Sequence, residues 1–139
     1  MASFEVVTSI AAPPERAWAV LADVDRWPEW APTVTEVKAL GNAGLILGAE
    51  YRLVQPKIEP AVWKVAALEE GRSFTWASTA PGVKTLAYHL VEPAEVGTRL
   101  TLRIEMSGAM AWLGGLVAGR VIRSYMEQEA QALKARVEG

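Results

Sequence analysis

The sequence predicts an α+β fold in which a curved antiparallel sheet of six to seven strands packs around a long C-terminal helix. Between residues 4 and 106, most of the chain consists of short segments in which apolar and polar residues alternate, which is the period of a strand. After residue 108 the apolar residues recur every three or four positions, which is the period of a helix. Two short helices are expected just after the first strand, where consecutive prolines interrupt the extended pattern.

The first strand and the two short helices follow from alternation and from the proline positions. Alternating residues predict a half-buried strand over residues 4–10. Two prolines then end the strand because proline cannot donate a ladder hydrogen bond, and the second, Pro14, presets the first turn of a helix over 15–22. Asp23 is placed to cap a second short turn over 25–30.

The rest of the sheet is predicted from alternating segments separated by turn residues. These segments are residues 34–40, 51–55, 61–68, 73–78, 83–91 and 97–106, with a glycine-containing turn at 41–44 after the first of them. In the last segment Leu100, Leu102 and Ile104 share one face and charged residues occupy the other, as in an antiparallel sheet with one solvated face. Short turns between sequential strands predict a meander, and a twisted sheet of this many strands curls.

A single apolar stripe runs along the final helix as far as residue 137. Its members are Leu116, Gly119, Ile122, Met126, Ala130, Leu133 and Val137. No other predicted element is long enough to fill the concave face of the sheet. The glycines at 114, 115 and 119 either let the helix approach the sheet closely or leave room for a ligand, and the two explanations are compatible.

Length, composition and charge predict one folded domain over residues 1–139. The chain has 139 residues, of which 51% are apolar and 22% are charged, as in an ordinary globular domain. With 14 basic and 16 acidic residues, it has no positive excess to neutralise phosphates, so no nucleic-acid partner is expected. The chain begins without a charged leader, and no segment approaches the roughly 20 apolar residues that cross a bilayer. We expect a cytoplasmic protein without membrane insertion, as a monomer or weak homodimer.

Metal and cofactor chemistry is not indicated by the residue types. The chain has one histidine and no cysteine, which leaves too few ligands for a transition-metal site. The absence of cysteine also excludes disulfides and thiolate nucleophiles, and it agrees with a reducing compartment. No glycine-rich phosphate-binding loop follows a strand. We therefore expect neither a metal nor a cofactor.

Six short motifs, taken in order, give the sequence a family resemblance across essentially its whole length. They are residues 12–18 (APPERAW), 23–30 (DVDRWPEW), 63–65 (WKV), 74–76 (FTW), 97–99 (GTR) and 133–134 (LK). With this order and spacing, the chain resembles the START-like superfamily, in particular its polyketide cyclase/dehydrase branch, also called SRPBCC. The resemblance implies a helix-grip fold and a single START-like ligand-binding domain over residues 1–139.

The same resemblance implies a deep cavity between the sheet and the last helix. Relatives use such a cavity for lipids, hormones, polyketides or other apolar ligands, and in some of them neighbouring loops gate its mouth. The corresponding loops would be residues 56–60 and 79–82. The Ser-Gly-Leu-Pro-Ala gate of the plant hormone receptors is missing, so hormone signalling is not inferred.

Candidate ligand-binding residues are the aromatic, polar and apolar side chains expected around this cavity. They are Tyr51, Gln55, Trp63, Trp76, Tyr88, His89, Trp112 and Leu116. Trp63, Trp76 and Trp112 are expected to form the wall, because the chain has six Trp and only two Phe, and Trp combines a large apolar area with an N–H donor.

His89 is a weak candidate for an acid or base, and no other catalytic residue is proposed. It is the only side chain whose ordinary pKa lies near neutrality. Alternation places either His89 with its small neighbours, or Leu86, Tyr88 and Leu90, on the concave face. Apolar content favours the second set, whereas the small neighbours and the family resemblance favour the first. The sequence leaves this choice open.

Three functions agree with these features. The leading one is binding of a small hydrophobic or aromatic molecule between the sheet and the C-terminal helix. The first alternative is a cofactor-independent, aromatase-like polyketide cyclase or dehydrase that folds a bound chain into a reactive shape. The second is a protein-interaction module that uses an exposed sheet edge or the apolar loop 45–47. The sequence does not decide between binding and turnover.

Overall fold

The computed structural model describes residues 2–41 and 44–139, which form seven strands, two α-helices and a 3₁₀ helix. In chain order they are β1 Ala2–Ile10, α1 Pro14–Ala22, the 3₁₀ helix Val24–Glu29, β2 Glu36–Ala39, β3 Glu50–Gln55, β4 Ile58–Glu69, β5 Ser73–Ala80, β6 Val83–Pro93, β7 Thr98–Ser107 and α2 Ala111–Glu138. The two central positions of the turn predicted over 41–44 lie outside the described residues.

The strands form one antiparallel sheet in the order β1-β7-β6-β5-β4-β3-β2. Strands β2 to β7 are a meander, and β1 pairs with β7, for example Phe4 with Ile104. The register shifts within β3–β4 near Leu53 and within β4–β5 near Val65, and such bulges bend a sheet and increase its twist. The predicted α+β class, with a curved antiparallel sheet around a long C-terminal helix, is confirmed.

The two predicted mouth loops are shorter than the sequence suggested. The segment predicted as loop 56–60 is a two-residue turn, because β4 already begins at Ile58, which pairs with Gln55. Lys57 occupies the second turn position with a φ of 66°, a conformation that normally favours glycine. Similarly, the predicted loop 79–82 reduces to residues 81–82, because β5 continues to Ala80. Backbone pairing therefore continues through residues that the prolines had marked as loop ends.

The glycines of α2 let this helix lie close to β1. A Cβ atom on Gly115 would lie 2.7 Å from the Ala2 Cβ, and one on Gly119 would lie 3.5 Å from the Phe4 ring. Glycine at these positions therefore supports close packing of the helix against the sheet. Although α2 has 28 residues, neither it nor another helix in the described part of the chain is long and apolar enough to cross a membrane.

One half of the concave face is packed solid by α1, the 3₁₀ helix and the C-terminal half of α2. Phe74 lies in this core, with ring centroids 6.3 Å from Trp18 and 6.4 Å from Trp27. Trp27 is 1% exposed, and its indole N–H donates to the Leu21 carbonyl over 2.9 Å. Burying a large side chain of this kind stabilises the fold by about 1.5–3 kcal/mol. The core anchors α2 at one end of the sheet, and α1 does not extend to the other end.

Candidate ligand-binding site

A cavity of about 950 Å³ occupies the half of the concave face that α1 does not reach. It lies between strands β3 to β7 and the middle of α2, and it is partly open to solvent. The apolar side chains that line it include Leu53, Trp63, Trp76, Ala87, Leu102, Met106, Ile122 and Met126. The cavity follows from the fold, because α1 and the 3₁₀ helix pack against the other half of the concave face and leave this half uncovered.

The exposed part of the cavity wall comes from the β3–β4 and β5–β6 hairpins. Ile58 and Val62 contribute exposed apolar surface on one hairpin, and Ala80 and Lys84 lie on the other. Tyr125 of α2 lines the cavity and donates a hydrogen bond from its hydroxyl to the carbonyl of Pro56 at the hairpin tip. This bond links the helix to the hairpin across the mouth.

The aromatic floor of the cavity is formed by Trp63 and Trp76, as expected for wall residues. Their ring centroids are 5.8 Å apart with an interplanar angle of 31°. Within the described residues, the buried Trp63 indole N–H has no hydrogen-bond acceptor. Tyr51 lies behind this floor, 5.9 Å from the Trp76 ring, and is 2% exposed without lining the cavity. Burial, and then the nearby acidic residue Asp25, raises the pKa of Tyr51.

His89 lies on the concave face and is 6% exposed. Its ring stacks on Phe74 with centroids 4.1 Å apart, and its Nδ1 lies 3.2 Å from the Phe74 carbonyl oxygen. Because a carbonyl only accepts, Nδ1 must carry the proton and donate it. Burial lowers the pKa of His89 to about 4, although the bond to Phe74 opposes this shift, so the ring is neutral near pH 7. The alternation left open by the sequence is therefore decided in favour of His89 and its small neighbours.

Tyr88 directs its hydroxyl away from the cavity. The hydroxyl donates to Glu105 over 3.1 Å, and Glu105 also accepts from Arg103 over 2.7 Å. Arg103 lies 3.7 Å from Glu5 of β1, and the pKa of Glu105 is lowered chiefly by its hydrogen bond with Arg103. These polar side chains alternate with the buried residues of β6 and β7, so they belong to the convex face. Tyr88 borders the cavity, but its polar group is already satisfied elsewhere.

The structure does not place Trp112 and Leu116 in the cavity wall, which corrects the sequence-based expectation. Trp112 is 63% exposed and Leu116 is 77% exposed. Leu116 precedes the cavity-lining Ile122 by six residues, and six residues of an α-helix turn the side chain by about 240°. The cavity-lining part of α2 instead begins with Ala118. Gln55, at the end of β3, does line the cavity.

Two of the three residues of the apolar loop 45–47 face solvent, whereas Leu45 packs against the core. Ile46 is 47% exposed and Leu47 is 64% exposed, just before β3. This exposure leaves the loop free for contact with another molecule, and a role in protein interaction stays a prediction.

Glu129 is a cavity residue that the sequence interpretation missed. It lines the cavity from α2, and no side chain within residues 2–41 and 44–139 forms a hydrogen bond or ion pair with its carboxyl group. Burial alone raises the pKa of Glu129 to about 7. The sequence carried a signal, because Glu129 stands three residues after Met126 and four before Leu133, at the edge of the apolar stripe.

A family model described as "Polyketide cyclase / dehydrase and lipid transport" matches residues 1–138. The chain belongs to this family. No curated protein sequence matches the chain. Known structures nevertheless extend the comparison, because many of them share this arrangement of sheet and helix.

Three solved structures illustrate the shared fold. A START superfamily protein from Mycobacterium smegmatis is 19% identical with a TM-score of 0.78, and the alignment covers 98% of this chain and 97% of that one. The protein TTHA0849 from Thermus thermophilus is 17% identical with a TM-score of 0.77, covering 98% and 97%. The di-domain ARO/CYC StfQ of the steffimycin biosynthetic pathway is 16% identical with a TM-score of 0.76, covering 96% of this chain and 49% of that chain. At these identities the likeness establishes the START/helix-grip fold.

The cavity of this polyketide cyclase/dehydrase and lipid transport family member offers apolar contact and one half-buried carboxyl group that has no partner among the described residues. Its wall is suited to enclosing a small hydrophobic molecule, because most binding pockets combine apolar walls with a few placed polar groups. Within the described residues, no three His, Asp or Glu side chains converge as ligands for a metal ion. The half-buried carboxyl group belongs to Glu129, whose pKa burial raises to about 7.

Proposed function

We propose that the cavity binds a small hydrophobic or aromatic molecule without a cofactor, in the cytoplasm. The observation that carries the proposal is the hollow of about 950 Å³ behind an apolar and aromatic wall. A dry void of this size, at roughly 24 cal/mol per Å³, would cost more than the ~5–15 kcal/mol that stabilises a whole domain. The cavity is therefore filled in solution, and replacing water against apolar walls by an apolar ligand is favourable.

The family relationship supports the proposal. Its description names polyketide cyclases, dehydrases and lipid transport, all of which involve apolar molecules. The Trp63 ring, tilted by 31° relative to the neighbouring Trp76 ring, adds an aromatic surface on which a planar guest can pack.

A titration with a neutral fluorescent probe tests this function. N-phenyl-1-naphthylamine is weakly fluorescent in water and brightens in apolar surroundings. The paired substitution Ala61→Trp and Ala118→Trp fills the cavity from the sheet and from the helix, since both alanines line it. Ala66→Trp with Ala135→Trp is the matched control, because both of these alanines are exposed. We expect the filling pair to weaken probe binding at least tenfold and the control pair to leave it unchanged. Equal binding by both pairs would contradict the proposal.

A second candidate function is cyclisation or dehydration of a bound polyketide-type molecule. The observation that favours it is Glu129, because a carboxyl group with a pKa of about 7 exchanges protons readily at neutral pH. In a dehydration, the carboxylate would remove a proton beside the carbonyl of a β-hydroxy ketone. The resulting acid would then protonate the departing hydroxyl, so that one water is released.

Formation of an enone from an aromatic β-hydroxy ketone tests this candidate by absorbance. We expect Glu129→Gln to abolish any rate above that of the protein-free solution, whereas Glu127→Gln, on the exposed side of α2, keeps it. A wild-type rate equal to that of the protein-free solution would leave the protein as a binder.

A further inference from the structure

An acidic side chain on an otherwise apolar helix face is the least expected feature of the cavity. Glu129 is half-buried beside Tyr125 and Met126, one turn earlier on the same helix. Neither the strands nor the helices of the described residues supply a partner for its carboxyl group. A carboxylate in an apolar site is costly unless it is paired, so this position calls for a partner that the described residues do not provide.

The other titratable groups along the cavity wall do not neutralise Glu129. They are Glu50, Glu59, Lys64, Lys84, Tyr88, His89, Arg103 and Tyr125. The two lysines are exposed, and Arg103 is held by Glu105 and Glu5. His89 is neutral, and the Tyr125 hydroxyl donates to Pro56. Glu50 and Glu59 are exposed. Among the described residues, the wall therefore holds one half-buried carboxyl group, and its positive charges are either exposed or already paired.

We propose that Glu129 anchors a positively charged amine, so that the ligand is an aromatic or apolar molecule carrying one basic nitrogen. The inference rests on the proposed binding function and specifies its ligand. An ion pair formed inside the cavity is stronger than one in water because the surroundings are less polarisable. The Trp63 and Trp76 rings on the floor also favour a cation, because the face of an indole attracts positive charge. An anionic ligand would meet the unpaired carboxylate and be repelled.

This arrangement gives amine binding a characteristic pH dependence. The ion pair needs Glu129 ionised, and the pKa of about 7 places ionisation near neutrality. It also needs the amine protonated, and alkyl amines lose their proton near pH 10. Affinity for an amine should therefore rise from pH 6 to pH 8 and fall again above pH 10. Affinity for a neutral ligand of the same shape should not follow this profile.

Three naphthalene derivatives of nearly equal size separate charge from shape. They are 2-(aminomethyl)naphthalene, neutral 2-methylnaphthalene and anionic 2-naphthylacetate, each titrated at pH 8 by calorimetry. We expect the amine to bind at least tenfold more tightly than the neutral compound, and the anion to bind most weakly. Glu129→Gln should remove the preference for the amine, whereas Glu127→Gln, whose carboxyl group is exposed, should retain it.

The outcomes separate this inference from the function on which it rests. Binding of the neutral compound as tightly as the amine, or an amine preference that survives Glu129→Gln, would overturn the anchor and leave hydrophobic binding intact. Failure of all three compounds to bind, together with no response to N-phenyl-1-naphthylamine, would overturn both. Urea unfolding of each variant at the same pH verifies that the titrated protein is folded.

Discussion

His89 is buried and Glu129 is half-buried, and their titrations have opposite effects on the stability of the fold. Burial lowers the pKa of His89 from 6.5 to about 4, because the charged ring is poorly solvated. Burial also raises the pKa of Glu129 from 4.5 to about 7, because the carboxylate is poorly solvated. Folding therefore favours the neutral form of each group, and the two pKa shifts span nearly the same pH range.

The signs follow from proton binding by the folded and unfolded chains. For His89 the folded pKa is depressed, so its contribution is complete above pH 6.5 and declines as the pH falls towards 4. For Glu129 the folded pKa is raised, so its contribution is complete below pH 4.5 and declines as the pH rises through 7. Each shift spans about 2.5 pH units, and at 1.36 kcal/mol per unit each contribution reaches about 3 kcal/mol. For half-buried Glu129 this is an upper bound, because water in the cavity screens the charge.

Urea unfolding of the wild type, His89→Gln and Glu129→Gln between pH 4.5 and 8 separates the two contributions. The free energy of unfolding of the wild type should vary little from 5 to 7, because the contributions cancel. The free energy of unfolding of Glu129→Gln should fall by up to about 3 kcal/mol as the pH falls from 7.5 to 4.5, because only the contribution of His89 remains. The free energy of unfolding of His89→Gln should rise over the same fall in pH, because only the contribution of Glu129 remains.

The comparison with the wild type removes the effect of groups that all variants share. Glu105 and Glu138, whose pKa values are lowered by hydrogen bonds and neighbouring cations, titrate alike in each protein. Glu127→Gln, an exposed change on the same helix, should run parallel to the wild type. Parallel pH profiles for Glu129→Gln and the wild type would show that burial does not raise the pKa of Glu129.

Three further predictions concern packing, backbone strain and the cavity mouth. Gly115→Ala should destabilise the protein by about 1 kcal/mol, because the new Cβ would lie 2.7 Å from the Cβ of Ala2 in β1. Gly119→Ala should instead stabilise the protein by up to about 1 kcal/mol through helix propensity, because its Cβ would lie 3.5 Å from the Phe4 ring, an ordinary contact. Thermal unfolding compares the two variants. Lys57→Gly should stabilise the β3–β4 turn by about 1 kcal/mol in urea unfolding, because the φ of 66° favours glycine; a loss of stability would contradict this. Tyr125→Phe removes the hydrogen bond to the Pro56 carbonyl, so stopped-flow mixing should show N-phenyl-1-naphthylamine entering and leaving the cavity several-fold faster. Unchanged rates would show that this hydrogen bond does not restrict the cavity mouth.

The strands were predictable because alternation is local information. The charged and apolar faces of β7 already fixed which residues of that strand point inward, as the burial of Leu100 and Leu102 shows. The short loops were harder, because prolines at 56 and 60 suggested a five-residue loop. Pairing of Ile58 with Gln55 extends the ladder past them, and pairing is a property of two strands rather than of one segment.

The site was less predictable than the fold because orientation around α2 depends on tertiary packing. The apolar stripe was located correctly in its C-terminal half, where Ala130 and Leu133 are buried. In the N-terminal half the helix is apolar on several sides, so the spacing did not show that Leu116 faces solvent. Glu129 was overlooked because an acidic residue in a helix usually faces water. His89 could not be oriented until its register against Phe74 was known.

The position of a bound guest shows whether the cavity between the sheet and α2 is the binding site. Intermolecular nuclear Overhauser effects between N-phenyl-1-naphthylamine and the protein's methyl groups report contacts within about 5 Å. We predict contacts with Leu102, Ile122 and Met126, which line the cavity between the sheet and α2. Contacts confined to Leu116 and Val117, which are 77% and 76% exposed on the outer surface of the helix, would contradict the account.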